Sequence, residues 1–164
     1  MTTHLSNHRF ISQTAKTFKI HIHTPDDEVL HRSVGYSKIG EKEGLKVAIK
    51  LRNDLGKLLW KKYWPEVLKN DKLLLRLPHS LDPVIVYKPA PTKTDPNHRI
   101  PCYLAKWKEY DESGNYKLKT VVRSINKYGK LAAYTQTKMA LLEAHKDVIP
   151  LLEFMERYSI TKLV

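Results

Sequence analysis

Residues 18–23 alternate without a break, with Phe18, Ile20 and Ile22 on one side and Lys19, His21 and His23 on the other. That is the two-residue period of a half-buried strand, one side packing and the other left free. Thr24-Pro25-Asp26-Asp27 supplies turn chemistry, and Val29 to Tyr36 reads as the returning strand. A shorter strand is predicted from Arg9 to Ser12. After Gly40 the period changes: Leu45, Ala48, Leu51, Leu55 and Leu58 or Leu59 recur at helical spacing, while Lys42, Lys46, Lys50 and Lys57 lie largely off that stripe. The helix is expected to reach Tyr63, weakened at Gly56, and Pro65 to open a short helix over Glu66 to Asn70.

The second half repeats the order. Val84 to Lys88 reads as a strand, followed by a Pro-, Lys- and Thr-rich loop to Arg99, and then Tyr103, Ala105 and Trp107 alternate with Leu104, Lys106 and Lys108. Asp111-Glu112-Ser113-Gly114-Asn115 is a hairpin turn signal. The return strand carries Lys117, Lys119, Val121 and Arg123 on one parity and Leu118, Thr120 and Val122 on the other. A helix follows from Lys130, and Pro150 separates it from a last short helix holding Leu151, Leu152, Phe154 and Met155.

Two landmarks recur along the chain. Ser37-Lys38-Ile39-Gly40 returns as Asn126-Lys127-Tyr128-Gly129, 89 residues on, and Asn7-His8-Arg9 returns as Asn97-His98-Arg99, 90 residues on. Nearly equal offsets for unrelated landmarks predict two copies of one module. The expected fold is α+β, each copy a three-stranded antiparallel sheet packed on one amphipathic helix. The first module covers residues 1–64, a connector with a short helix 65–83, the second module 84–149, and a helical tail 150–164. Trp60 and Trp64 are expected to pack between modules, and Tyr36, Tyr128 and Trp107 to lie in the core beside the helix corners. The tail is expected to cover the core, with a homodimer contact through the C-terminal helix as the alternative.

Charge changes the picture most. Lys+Arg 29 against Asp+Glu 17 gives a net charge of +12, an excess that favours a polyanionic partner, nucleic acid before an anionic membrane. No apolar run approaches a bilayer-spanning length, and the amino terminus lacks a signal core, so an intracellular, cytoplasmic place is expected. Cys102 is the lone cysteine, which excludes a disulfide framework and a cysteine-rich metal site. Asp26, Asp27, Asp111 and Glu112 sit in turn signals, no phosphate loop or His-Glu helix motif is present, and Cys102 has no nominated base, so no catalytic residue or cofactor is assigned. His21, His23 and His31 converge across the first hairpin, but no carboxylate or thiolate at ligand spacing completes a metal site.

Three strands, a Gly-containing corner and one amphipathic helix resemble the Apetala-two/ethylene-response-factor DNA-binding domain. Its phage and bacterial relatives carry a corner similar to Ser124-Ile125-Asn126-Lys127-Tyr128-Gly129, and Tyr36-Ser37-Lys38-Ile39-Gly40 is a looser match. The resemblance implies that the sheet enters the major groove while the helix braces its other face. Phe18, Ile20, Ile22, Tyr103, Ala105 and Trp107 then point to the helix. Lys19, His21, His23 and Arg32 are expected to face DNA from the first sheet, and Lys106, Lys108, Lys119 and Arg123 from the second. Arg9, Lys16, Lys93 and Arg99 are assigned to phosphates or the groove edge, with Lys88 and Lys117 beside them and Lys38 and Lys127 touching phosphate from the corners. The family usually presents several arginines from its first two strands; this chain offers Arg9, Lys88 and Arg99 there, plus histidines.

The expected function is sequence-specific double-stranded DNA binding by a small transcriptional regulator of phage, mobile-element or bacterial type, associated with the nucleoid. Two alternatives stand beside it: an inhibitor that binds an acidic protein, and an accessory DNA-bending factor without base readout.

Overall fold

A computed structural model describes residues 4–5, 8–90 and 95–158. The chain divides into two compact units, Met1–Leu77 and Pro78–Val164. The stretch expected to be a connector is therefore shared between them, its helical part falling in the first unit.

In the first unit, β1 (His4–Leu5), β2 (Ile11–Gln13), β3 (Thr17–His23) and β4 (Val29–Gly35) form an antiparallel sheet in that order. The expected three strands thus gain a fourth, two-residue strand at the edge. Helix α1 (Glu41–Trp60) lies against β2, β3 and β4. Its buried positions follow one row of i,i+4 spacing, Gly44, Ala48, Arg52, Gly56 and Trp60, rather than the leucine stripe, and Leu58 is 74% exposed. Close approach is the reason: a β-carbon on Gly44 would collide with the Tyr36 side chain, and one on Gly56 with the Trp64 indole. Gly56 is thus a packing position, and the helix propensity it forgoes is offset by the ring it admits.

A 3₁₀ turn (Lys61–Tyr63) leads into α2 (Trp64–Lys69) and then α3 (Leu73–Arg76). Trp60 is buried and donates from Nε1 to the His23 carbonyl at 2.7 Å, while Trp64 stacks on Phe10 with ring centroids 5.8 Å apart. Both indoles thus make contacts within this unit. Arg52 is buried, and among the described residues it forms no ion pair. Its Nη1 donates to the Arg9 carbonyl at 3.1 Å, and its Nε and Nη2 donate to Asn53 Oδ1 at 3.2 and 3.1 Å. Burial pushes its pKa down.

In the second unit, β5 (Val84–Pro89), β6 (Arg99–Tyr110) and β7 (Tyr116–Ser124) form a three-stranded antiparallel sheet. One turn of helix, α4 (Ile125–Tyr128), is capped by Ser124, whose Oγ accepts from the Lys127 amide at 3.2 Å. Helix α5 (Lys130–Ala144) lies against β6 and β7 and buries Ala133, Thr137 and Leu141, again at i,i+4 spacing. The buried Thr137 hydroxyl donates to the Ala133 and Tyr134 carbonyls at 2.8 and 2.9 Å, so it carries no unmet hydrogen bond. A 3₁₀ turn (Lys146–Val148) precedes α6 (Ile149–Phe154), with Pro150 in its first turn. Leu151, Leu152 and Met155 are buried. Tyr36 is buried as expected, but Tyr128 is 41% exposed and Trp107 half-buried.

The turns and corners of the two units share one backbone geometry. Across the hairpins, the Thr24 amide donates to the Glu28 carbonyl and the Asp111 amide to the Asn115 carbonyl, each at 2.9 Å. Asp27 (φ 65°) and Gly114 (φ 85°) take the left-handed conformation at matching places. At the corners, Gly40 and Gly129 have the same φ of 84° and ψ of 157°, a conformation open to glycine and hostile to other residues. Their amides donate to Tyr36 and Ile125 carbonyls, each at 2.8 Å, and their carbonyls accept from Gly44 and Ala133.

Candidate nucleic-acid interface

Strand register decides which side chains share the face away from each helix. In the first sheet Lys19 is opposite Ser33, His21 opposite His31 and His23 opposite Val29, with Ser12 beside Lys19 on β2. The His21 amide donates to the Phe10 carbonyl at 2.9 Å, so its polar backbone groups turn toward β2. His21 and His31 are consequently a non-hydrogen-bonded pair, the type whose side chains approach most closely. Their Nδ1 atoms are 2.8 Å apart, one donating and the other accepting, and Ser12 Oγ lies 3.3 Å from His21 Nε2. Burial first, then His31 and Lys19, push the His21 pKa down. Among the described residues no cluster of three or more His, Cys, Asp or Glu has a geometry able to hold a metal ion.

Arg32 does not join this group. It pairs with Ile20, on the helix-side parity, and its Nη1 donates to the His31 carbonyl at 2.8 Å.

In the second sheet the open face carries Lys106 opposite Thr120, Lys108 opposite Leu118, Leu104 between Val84 and Val122, and Lys88 opposite Ile100. Lys108 Nζ lies 4.4 Å from the centroid of the Tyr116 ring on the same face. The sequence grouping of Lys106 and Lys108 with Lys119 and Arg123 is corrected by the register, because Trp107 pairs with Lys119, Tyr103 with Arg123 and Glu109 with Lys117. Those three cations belong to the helix-side parity. Arg123 Nε donates to Gln136 of α5 at 2.8 Å, and Lys119 pairs with Glu109 at 3.2 Å.

Among the described residues neither open face contains a carboxylate. Strands β2, β3, β4, β5 and β7 have no Asp or Glu, and Glu109, the acid of β6, has the opposite parity. No protein-family model, curated protein or solved structure matches the chain. Its function must accordingly be read from these faces.

The remaining candidates are dispersed. Arg9 packs its guanidinium over Phe10 at 4.6 Å with Nη1 buried, and burial pushes its pKa down against the opposing pull of Asp71. It is turned into its unit, away from the phosphate role expected of it. Lys16, Lys38, Lys88, Arg99 and Lys127 are exposed, and Lys127 sits 5.2 Å from the Tyr128 ring. Lys93 lies outside the described residues. Sequence reasoning did not single out Ser12, Ser33, Thr120 or Tyr116 as members of the open faces, and the parity count across each turn is the signal that finds them.

One further polar cluster is structural. Asp82 Oδ1 accepts from Lys138 at 2.7 Å and Tyr134 at 3.3 Å, and Oδ2 accepts from Ser80 at 3.2 Å. The Lys138 bond is the largest cause of its lowered pKa, and the cluster fastens the segment before β5 to α5.

Proposed function

We propose that the chain is a sequence-specific double-stranded DNA-binding protein made of two copies of one sheet-and-helix module, each laying its open sheet face in the major groove. The observation that carries this reading is the pair of carboxylate-free sheet faces, one with Lys19, His21, His23 and His31 and the other with Lys88, Lys106 and Lys108. Among the described residues no ion pair neutralises Lys19, Lys106 or Lys108, so their charge is available to phosphates. A β-ribbon fits the major groove, where lysine reaches guanine O6 and N7 and hydroxyls bond either base edge. The matching turn and corner geometries support duplication, and they fit the resemblance to the Apetala-two/ethylene-response-factor domain. A small regulator of phage, mobile-element or bacterial type, acting at the nucleoid, is the biological role that follows.

The test is duplex binding across a salt series, followed by selection of bound sites from a random pool. If six or more phosphates are engaged, affinity should fall about 10³-fold between about 50 and 200 mM salt. An enriched consensus supports base readout, whereas binding without one supports the bending-factor alternative. Absence of binding at low salt, or indifference to salt, overturns the proposal.

A further inference from the structure

The two open faces differ in one respect that neither fold nor charge requires. Around Lys19, the first face presents serine and imidazole. The second places aliphatic side chains among its lysines: Leu118 is 51% and Val84 56% exposed, with Leu104 and Val122 half-buried beside them. Single exposed leucines are ordinary on protein surfaces, but these share one face with Lys106, Lys108 and Thr120 and with no acid.

Resting on the DNA-binding reading above, we propose that the second sheet recognises thymine through its C5-methyl group, with Leu118 and Val122 as the specificity-determining side chains. Thymine is the one base that offers a methyl group in the major groove, and apolar side chains are its natural contacts. Along β7 the outward row is Tyr116, Leu118, Thr120 and Val122. Alternate residues of a strand are about 6.8 Å apart, close to two base-pair rises of about 3.4 Å, so such a row can meet every second base pair. Thr120, between the two aliphatic side chains, has a hydroxyl for the neighbouring edge. Lys108 and Lys106, opposite Leu118 and Thr120, supply donors for a guanine edge or a phosphate beside the methyl group. The second module is thereby assigned duplexes that mix thymine with guanine, while the first module, with no comparable aliphatic row, is assigned no methyl preference.

The experiment uses the full chain and a duplex recovered from the random pool, remade with deoxyuridine in place of thymidine. This removes the C5-methyl and leaves base pairing, charge and hydrogen-bonding edges in place. Each methyl group buried against Leu118 or Val122 should be worth about fourfold in affinity, so uridine at two such positions should weaken binding about 15-fold. The loss should shrink to near unity in Leu118→Ser with Val122→Thr; should that variant fail to fold, the comparison of thymidine and deoxyuridine duplexes on the wild-type chain decides alone. Equal affinity for the two duplexes, with the salt dependence intact, overturns the methyl readout and leaves the DNA-binding reading standing. No duplex retention at low salt removes both.

Discussion

The two sheets are built alike at their turns and corners, yet they offer chemically different open faces. In the first unit the side chains on that face run from Thr17 through Ser12, Lys19, Ser33, His21, His31 and His23 to Val29, and two of the histidines are joined through Nδ1. The second unit sets its lysines among Leu118, Val122, Val84 and the Tyr116 ring. The likeness is carried by Gly40 and Gly129, which share one backbone conformation, and by the hairpin bonds, while the side chains on the strands differ. Similar turns and corners therefore do not fix what a sheet presents to solvent.

The largest effect should come from reversing the charge of the second face. Lys106→Glu with Lys108→Glu should lower duplex affinity by about 100-fold at low salt and reduce the salt slope by about 2, since each lysine lost releases about 0.9 fewer counterions. Lys117→Glu with Lys119→Glu changes the same net charge on the helix-side parity and should cost about threefold or less, because exposed pairs such as Lys119 with Glu109 contribute little. Equal losses from the two double variants in a filter-binding or anisotropy titration would mean that net charge, and not a face, binds the duplex.

Stability comes next, and here the helices are the units to compare. Gly44 and Ala133 occupy equivalent places, each donating its amide to the corner glycine, but the first abuts Tyr36 and the second follows a corner that begins at Ile125. Gly44→Ala gains about 1 kcal/mol of helix propensity and must then displace the Tyr36 side chain, an overpacking cost of about 1–3 kcal/mol or more. With the Tyr36 Cβ anchored to its backbone, the steric cost should win and the variant should melt lower. Ala133→Gly forgoes about 1 kcal/mol of propensity and about 0.8 kcal/mol of burial. Denaturant titration should therefore find both swaps destabilising, by opposite mechanisms; a stabilised Gly44→Ala would show that α1 can move off the sheet.

Much of this architecture was legible in the sequence. Strict alternation identified Phe18, Ile20 and Ile22 as the packed side of β3, and the recurring Gly40 and Gly129 placed the start of each long helix. Of the buried row of α1 only Ala48 was legible, because hydrophobic periodicity rewards leucine while a close seam selects Gly44 and Gly56 as well. Arg52 was hidden for a related reason: a guanidinium reads as surface until its hydrogen bonds to Arg9 and Asn53 are seen. The face of Arg32, Lys119 and Arg123 was within reach. His23 pairs with Val29 and Tyr110 with Tyr116, so an odd number of residues, 24–28 and 111–115, lies between the partners. Same-parity residues must then share a face across each hairpin, which places Arg32 with Ile20 and Arg123 with Tyr103. Charge clustering was given more weight than that count.

The smallest expected effect is also the one confined to the first face. His21 meets His31, Lys19 and Ser12 on that face, with no carboxylate among them, and burial together with these neighbours holds its pKa below the ordinary value. In the unfolded chain the imidazole titrates near its usual value of about 6.5. As pH falls through that value the unfolded chain takes up the proton while folded His21 resists it, so stability should decline on acidification and be fully present above neutral pH. Binding to a duplex should move the other way. A phosphate beside His21 favours its imidazolium form, so affinity should rise several-fold between about pH 7.5 and 5.5. Melting curves and binding titrations at those two pH values, on wild type and His21→Gln, separate this histidine from the others. The glutamine variant should flatten both trends, with little change in the contribution of Lys106 and Lys108. If acidification weakens binding and stability together, the His21–His31 pair is a feature of the folded sheet alone and the first face does not meet phosphate there.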